Sequence, residues 1–349
     1  MVLHNRFIEK GINAALITLL FVATGIYSCF AQGPTLNQEK NADNNIQLAA
    51  NLNLDAKASP LSWSINSPYA EWKPNVAPHG KRMYFSRSLH PNNTAGAIDR
   101  EDIWYSEFDS TAEVWSEPMR LPGILNNDGP NFVSGVSVTG DTIILGNRYL
   151  KNGKMRDGLS YSVNIEGQWS QPKSIHIKND YNISEHGNSY VSLNSGIIIS
   201  AIQRTDTHGD RDLYVSFWNG EEATEPINMG GVINSTLEES SPYLSCDKKK
   251  LYFASKGHLG YGGYDIYVTE RLDESYTNWS EPKNLGPAIN DILDDEFFIV
   301  SHCKRFAFFS KQISVHNVDL YKILIEELYD NNTDAEKVSI TDPSRLSSL

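Results

Sequence analysis

A short pattern recurs five times along this 349-residue sequence, and repetition at a fixed spacing limits the chain to a repeat architecture. The first marker is a triplet of an acid, an aliphatic residue and an aromatic residue. Its copies lie about 54 residues apart, and they are Asp102-Ile103-Trp104, a degenerate Gly158-Leu159-Ser160, Asp212-Leu213-Tyr214, Asp265-Ile266-Tyr267 and Asp319-Leu320-Tyr321. A second marker keeps the same phase, as Trp115-Ser116-Glu117-Pro118, Trp169-Ser170-Gln171-Pro172, a weakened Thr224-Glu225-Pro226 and Trp279-Ser280-Glu281-Pro282.

The clearest copy runs from Ile233 to Asp291 and contains four short apolar runs bounded by turn residues. Runs of this length, rich in aromatic and β-branched residues, are typical of strands. They are Ser241–Ser245, Leu251–Ser255, Asp265–Thr269 and Trp279–Leu285. Four strands per copy and five copies predict an all-β fold, a five-bladed β-propeller of four-stranded antiparallel blades.

The last copy, Leu293 to Leu328, lacks the fourth-strand marker. A matching segment, Leu61–Ser67, stands alone near the other end of the sequence. We therefore expect an N-terminal strand to complete the last blade and close the ring, which would remove the free sheet edges.

The sequence outside the repeats predicts an exported protein. Residues 1–31 have a weakly basic start and an apolar run, followed by a small-residue cleavage site after Ala31, which is typical of a signal peptide. The remaining predicted segments are a flexible spacer at 32–59, the propeller at 60–328 and a disordered tail at 329–349. A periplasmic or secreted location without a membrane span after cleavage follows. A lipoprotein anchored through Cys29 is the less favoured alternative.

Charge and cysteine content exclude some functions and leave one question open. A net charge of −13 argues against nucleic acid as a partner, because phosphates require basic patches. Cys246 and Cys303 fall in equivalent turns of the last two repeats, so a disulfide and two free thiols are both compatible with the sequence. The sequence does not specify the oligomeric state.

Polar side chains recur where one repeat passes into the next, and in a closed ring these positions would surround one mouth of the central channel. They are Glu71, Asn131, Glu185, His186, Glu239, Asp295 and Glu296. Converging carboxylates would suit Ca²⁺, the one cofactor that the sequence brings into consideration. They would also suit acid/base chemistry on a sugar. The favoured interpretation is structural, with each acid bonding the backbone of its own loop.

The repeat markers themselves also favour structural roles. An acid that opens each third strand can accept hydrogen bonds from the adjacent turn, and this applies to Asp102, Asp212, Asp265 and Asp319. Each tryptophan of the second marker opens a fourth strand, where packing between blades is expected. These residues are Trp115, Trp169 and Trp279.

The repeats resemble the WD-repeat-like propeller repeat of TolB-type proteins of the bacterial cell envelope. The motifs that carry the resemblance are Ser241-Pro242-Tyr243, Leu251-Tyr252-Phe253, Gly262-Gly263-Tyr264-Asp265-Ile266-Tyr267 and Asn284-Leu285-Gly286. It implies a propeller outside the cytoplasm that binds a protein or a polysaccharide. We therefore expect a non-catalytic binding protein of the cell envelope. A carbohydrate-active hydrolase or lyase that uses the mouth acids is the alternative, so enzymatic activity stays open.

Overall fold

Each of the five repeats forms a small antiparallel sheet in the computed structural model, which describes residues 46–302 and 304–329. These sheets are the blades of a five-bladed, all-β propeller, which confirms the predicted fold class. Helical structure in the described residues is limited to a 3-10 turn, Gly96–Ile98, and one short helix, α1 (Ile325–Leu328).

Strands are numbered along the chain, starting with β1 (Ser59–Pro60). Blade 1 contains β2 (Ala70–Val76), β3 (Arg82–Ser88), β4 (Asp102–Asp109), β5 (Val114–Trp115) and β6 (Met119–Arg120). Blade 2 contains β7 (Val133–Val136), β8 (Thr142–Tyr149), β9 (Met155–Ile165), β10 (Gln168–Trp169) and β11 (Lys173–Ile177). In both blades the two-residue strands β5 and β10 extend the hairpin that leads to the outermost strand.

The remaining blades follow the same order. Blade 3 contains β12 (Asn188–Ser192), β13 (Ile197–Ile202), β14 (Asp212–Phe217) and β16 (Ile227–Asn228), while the intervening β15 (Glu222–Ala223) pairs in parallel with β11 of blade 2. Blade 4 contains β17 (Glu239–Leu244), β18 (Lys250–Ser255), β19 (Asp265–Glu270) and β20 (Lys283–Asn284). Blade 5 contains β21 (Asp295–Val300), β22 (Phe306–Ser314) and β23 (Asn317–Leu324). The predicted strands of the clearest repeat agree with blade 4 to within two residues, except that its fourth strand is shorter.

The first strands of the blades surround the central axis. β2, β7, β12, β17 and β21 contact one another in that order, and β21 also contacts β2. Five clusters of buried apolar side chains lie between them, one at each interface of neighbouring blades. Each blade therefore buries both of its faces against its neighbours.

The tryptophans of the second marker pack in these interfaces. Trp279 is buried with residues of blade 3, and Trp115 makes an edge-on contact with Phe308 of blade 5 at 6.3 Å between ring centroids. Trp169 packs against the cluster between blades 1 and 2. The serine after each tryptophan ties the last hairpin to the third strand, since its hydroxyl accepts a backbone N–H. These bonds join Ser116 to Glu107, Ser170 to Val163 and Ser280 to Glu270.

A recurring asparagine fixes the passage from one blade to the next. The side chain of Asn290 accepts the Ile266 N–H at 2.8 Å and donates to the Ile266 carbonyl at 3.0 Å, so the amide replaces a paired strand residue. The same two bonds join Asn66 to Leu320, Asn126 to Ile103 and Asn234 to Leu213. In every case the partner is the aliphatic residue of the repeated triplet.

The last blade is completed by β1, which pairs antiparallel with β23 through Ser59 opposite Lys322. The predicted completing strand, Leu61–Ser67, instead forms the turn that follows β1. The chain stays at the sheet edge through Leu61, whose N–H donates to the Leu320 carbonyl at 2.8 Å, and then turns so that the side chain of Asn66 makes the remaining bonds to Leu320.

The segment before β1 lies within the flexible spacer predicted for residues 32–59, but it packs against the propeller. Residues 46–58 pack on blades 4 and 5, where Ala49 is buried and Leu52 contacts the same cluster. Leu48 forms a parallel bridge with Asn284, which covers the outer edge of blade 4. The interspersed Leu and Ala of this segment supply apolar contacts that its Asn-rich composition conceals.

Several predictions fall on residues outside the described ranges. These are the signal peptide with Cys29, the first part of the spacer and the tail after Tyr329. Cys303 also lies outside the described residues, so the Cys246–Cys303 disulfide stays one of the two alternatives compatible with the sequence. Cys246 itself is exposed, with its Sγ 3.6 Å from Nδ1 of His302. No helix among the described residues has the length and apolar character that crossing a membrane requires.

The Asn290→Ala variant should test the asparagine bonds. Removing the buried amide leaves the Ile266 N–H without a partner and the Ile266 carbonyl with the Leu285 N–H alone, and the free energy of unfolding should fall by about 1–3 kcal/mol in urea denaturation. Asn182→Ala is the matched control, because Asn182 is partly exposed and bonds loop atoms near Gln203 instead. Equal destabilisation of the two variants would contradict the role assigned to Asn290.

Candidate functional site

Four of the predicted mouth residues fall on one position of the repeat, within two residues of the start of a first strand. Alignment of the blades by strand register and by the asparagine five residues earlier identifies the equivalents. In blade order they are Glu71, Asn131, Gly187, Glu239 and Asp295. Blade 3 therefore has glycine at this position. Glu185 and His186, which the sequence pattern matches to it, lie two residues and one residue earlier in the loop.

Three of these positions hold buried carboxylates, and all three bind their own loop. Glu239 accepts the Ser235 N–H at 2.9 Å and the hydroxyls of Ser235 and Ser255 at 2.6 and 2.8 Å. Equivalent bonds from the backbone N–H four residues earlier reach Glu71 and Asp295. The side-chain partner from the second strand differs, being Ser255 for Glu239, Arg87 for Glu71 and Lys311 for Asp295.

Burial strongly perturbs these acids. Desolvation raises the pKa of Glu239 to about 7, against the opposing effect of the Ser235 and Ser255 hydrogen bonds. Burial likewise raises the pKa of Asp295 to about 7, although the nearby Lys311 lowers it. None of the three carboxylates is exposed to solvent. A substrate would reach them only after the loop bonds had broken.

The other predicted mouth residues do not join them in one site. Asn131 is buried, and its amide donates to carbonyls of its own loop, including Asn127 at 2.9 Å. Glu296 points toward blade 4, where its Oε1 accepts the hydroxyls of Ser240 and Ser241 at 2.7 and 3.0 Å. Glu185 and His186 are both exposed.

Inside the ring of predicted mouth residues, the central channel is too narrow for a sugar. Its cavity there has a volume of about 30 Å³, enough for one or two waters. Lys73 enters this space with its Nζ 4.2 Å from the centre of the Phe132 ring, and its ammonium also pairs with Glu101 at 2.6 Å. Among the described residues, no three His, Cys, Asp or Glu side chains are grouped as a metal site.

The acids of the repeated triplet bind turns in the same way as the mouth acids. Asp102 accepts the Thr94 N–H at 2.7 Å and the Arg120 guanidinium at 3.0 Å. Asp212 accepts the His208 N–H at 2.8 Å, and Asp265 accepts the Tyr261 N–H. Asp319 lies in the tight β22–β23 hairpin, where its side chain is within 3.4 Å of Asn317 Nδ2.

One face of the propeller carries exposed apolar side chains that the sequence patterns did not reveal. We define the loop face as the loops that precede each first strand together with the loops between second and third strands. Backbone hydrogen bonds join these two sets of loops, for example from the Asp295 N–H to the Tyr264 carbonyl. Its exposed large apolar residues are Trp63, Leu89, Ile98, Tyr181, Ile183, Val232, Leu237, Leu259, Ile292, Ile313 and Val315. Because they are isolated within polar loops, periodicity cannot detect them.

The opposite face, formed by the turns between first and second and between third and fourth strands, has fewer such residues. They are Val114, Val138, Ile165 and Leu272. The most exposed side chains also belong to the loop face, since Trp63 and Ile98 are 83% exposed and Val315 is 82% exposed. The loop face is thus the more apolar of the two.

The Glu239→Gln variant should flatten the dependence of stability on pH. The folded protein holds the Glu239 proton more tightly than the unfolded chain does, so the stabilisation is complete below about pH 4.5 and is lost as the pH rises through 7. The contribution is on the order of 3 kcal/mol, and glutamine mimics the protonated form. Denaturation midpoints between pH 5 and 8 should therefore change less in the variant than in the wild type.

Glu185→Gln supplies the matched control for this experiment, because Glu185 is exposed in the equivalent loop. It should follow the wild-type curve. A Glu239→Gln curve that coincides with the wild type would show that the buried carboxylate does not govern the pH dependence.

Comparison with known proteins supports the architecture. No protein-family model and no curated protein sequence matches the chain. A glycoside hydrolase structure is similar with a TM-score of 0.52 and 9% identity, over 84% of this chain and 96% of the other. The GH32 β-fructofuranosidase of Bombyx mori gives a TM-score of 0.47 and 9% identity, over 78% and 63%.

Solved structures of TolB β-propellers are also among the similar ones. TolB from Acinetobacter baumannii has a TM-score of 0.44 and 12% identity over 76% of this chain. The match covers only 54% of the length of that TolB protein. At these identities, what the chain shares with these proteins is the β-propeller fold alone.

Proposed function

We propose that the protein is an exported, non-catalytic propeller that binds a protein partner on its loop face. The observation that carries the proposal is the set of exposed apolar side chains on this face, headed by Trp63, Ile98 and Val315. Exposed apolar side chains that stand among polar loops form an interaction surface where a partner covers several of them together.

The rigid support beneath the loops favours recognition by this face. The loops begin and end on residues that the blades hold firmly, through Asn290 at one junction and Asp102 or Asp212 at the base of the second-to-third-strand loops. Variable loops on a rigid frame commonly carry binding sites, because the frame reduces the entropy lost on association.

The acidic charge of this protein indicates a further property of the partner, namely basic residues. Glu185, Asp206 and Asp210 are exposed on the loop face, and the whole chain has a net charge of −13. A partner with an apolar patch bordered by Lys or Arg would complement both features.

The burial of the mouth acids supports binding rather than catalysis. A glycoside hydrolase needs two accessible carboxyl groups on either side of the bond that it cleaves. Glu71, Glu239 and Asp295 instead use their oxygens to hold loops. A polysaccharide partner remains the alternative for the loop face, and it would bond chiefly to polar groups rather than to Ile98 or Val315.

The location belongs to the same proposal. Residues 1–31 have the composition of a signal peptide, and the resemblance of the repeats to TolB-type propellers agrees with a periplasmic or secreted protein. Lipid attachment at Cys29 would keep it in the envelope.

Site-specific photo-cross-linking in cells of the source organism tests the loop face. Benzoylphenylalanine at Ile98 or Val315 should yield a discrete cross-linked protein, because both side chains would lie in the buried centre of the interface. The same probe at Val138 on the opposite face is the matched control and should yield none. Mass spectrometry of the adduct identifies whether the partner is a protein.

Two outcomes would overturn the proposal. The first is a failure of Ile98 and Val315 to cross-link to any protein. The second is adducts of equal yield from Val138. Release of reducing sugar from a panel of polysaccharides, abolished by Glu239→Gln, would instead establish the hydrolase alternative.

A further inference from the structure

A cleft between blades 2 and 3 opens beside the loop face and shares Phe132, Asn188 and Ser189 with the lining of the central channel. Its volume is about 100 Å³, and its lining combines apolar side chains such as Ile177 and Ile202 with amides, hydroxyls and ionised groups. The ionised residues in the lining are Arg148, Asp157 and Asp180. A cation and two carboxylates thus surround one open space.

The cleft exists because this junction lacks the repeat's loop-binding side chains. Gly187 occupies the position of Glu71, Glu239 and Asp295, so no acid fills the space before the first strand. The triplet acid is also missing, because Gly158 replaces it. Because both structural acids are missing at this junction, a space is left that side chains occupy at the other four junctions.

The asparagine of this junction departs from the pattern as well. Asn182 does not bond the third strand but accepts the Gln203 N–H at 2.8 Å and donates to the His186 carbonyl at 3.0 Å. It also bonds the side chain of Asp157. The loop that contains Glu185 and His186 is therefore held as the rim of the cleft.

Arg148 is fixed in place by the glycine that replaces the triplet acid. Gly158 has a φ of +123°, and a Cβ there would lie only 2.9 Å from Nε of Arg148. The absence of a side chain lets the guanidinium lie across the backbone, where Nε donates to the Asp157 carbonyl at 2.8 Å. Any other residue at position 158 would displace it.

Asp180 lines this space as a partly exposed carboxylate. Its Oδ2 is buried, accepts no hydrogen bond from the described residues and pairs with Nη1 of Arg148 at 3.5 Å, so a ligand would reach the carboxylate through its other oxygen. Partial burial raises the pKa of Asp180 above its usual range, while Arg148 acts in the opposite direction. A partly buried carboxylate is stabilised more by a hydrogen bond from a charged donor than by one from a neutral donor.

We propose that this cleft binds one end of a small ligand with several hydroxyl groups and one ammonium group, with the chemistry of a hexosamine. Two carboxylates and one guanidinium give the lining a net charge of −1, which favours a cation over an anion. Asp180 receives the ammonium group, while Asn147, Asn182 and Ser189 bond the hydroxyls. The apolar floor of the cleft packs against the ring carbons. Tyr181 is the one loop-face apolar side chain in the cleft lining, whereas Trp63, Ile98 and Val315 lie outside it, so failure of either proposal leaves the other standing.

Isothermal titration of the full chain with glucosamine, glucose and glucuronate tests the proposal. Glucosamine should bind most tightly, glucose more weakly and glucuronate least, in the order of their charge. Asp180→Asn should weaken glucosamine binding about tenfold and should bring it close to glucose. Asp210→Asn is the matched control, since Asp210 is exposed on the next loop of blade 3 and outside the cleft.

A second variant separates the site from the stability of the fold. Gly187→Ala places a methyl group in the cleft without altering any charge, and it should weaken all three sugars by a similar factor. The thermal midpoint of each variant confirms that it is folded. Equal binding of the three sugars, undetectable binding of glucosamine to the wild type, or unchanged affinity in Asp180→Asn would overturn the proposal.

Discussion

The fold depends on one constraint, which is that a four-stranded sheet cannot bury both of its faces by itself. Here each face packs on a neighbouring blade, and the buried side chains fall into five clusters, one at every interface. Burial of apolar surface is therefore shared between blades, and none of them is a stable unit on its own. The junctions have to set the spacing and angle of the blades, which is why side chains such as Asn290 recur with the same bonds.

Much of this could be predicted from the sequence because the repeated residues have local structural roles. The triplet acids and the Trp-Ser-x-Pro marker indicate the third and fourth strands, and their spacing gives the number of blades. The position of Gly187 could not be found in the same way. The preceding loop has polar residues that resemble the pattern, and only strand register shows that Glu185 and His186 precede the equivalent position.

The burial of the candidate site residues and the exposed apolar side chains of the loop face were less predictable, for two physical reasons. Burial decides whether a carboxylate is available, and a loop motif does not reveal that Glu239 is fully covered while Glu185 is exposed. Exposed apolar residues such as Ile98 stand singly within polar loops, so they produce no periodic signal. The segment 46–58 escaped notice for a similar reason, because its contacts with blades 4 and 5 depend on tertiary packing.

The pairing of β1 with β23 joins residues that are far apart along the chain, with Ser59 opposite Lys322. Contacts of such separation form late, because the intervening chain must first be ordered before its loop-closure entropy can be offset. Blades 1 to 4 can assemble progressively as the chain emerges, whereas blade 5 has to wait for both ends. Until then its apolar surfaces, and the facing sides of blades 1 and 4, are open to solvent and to other chains. The step at greatest risk of misassembly is thus the joining of the ends, and a chaperone that holds the segment around β1 would act at this point.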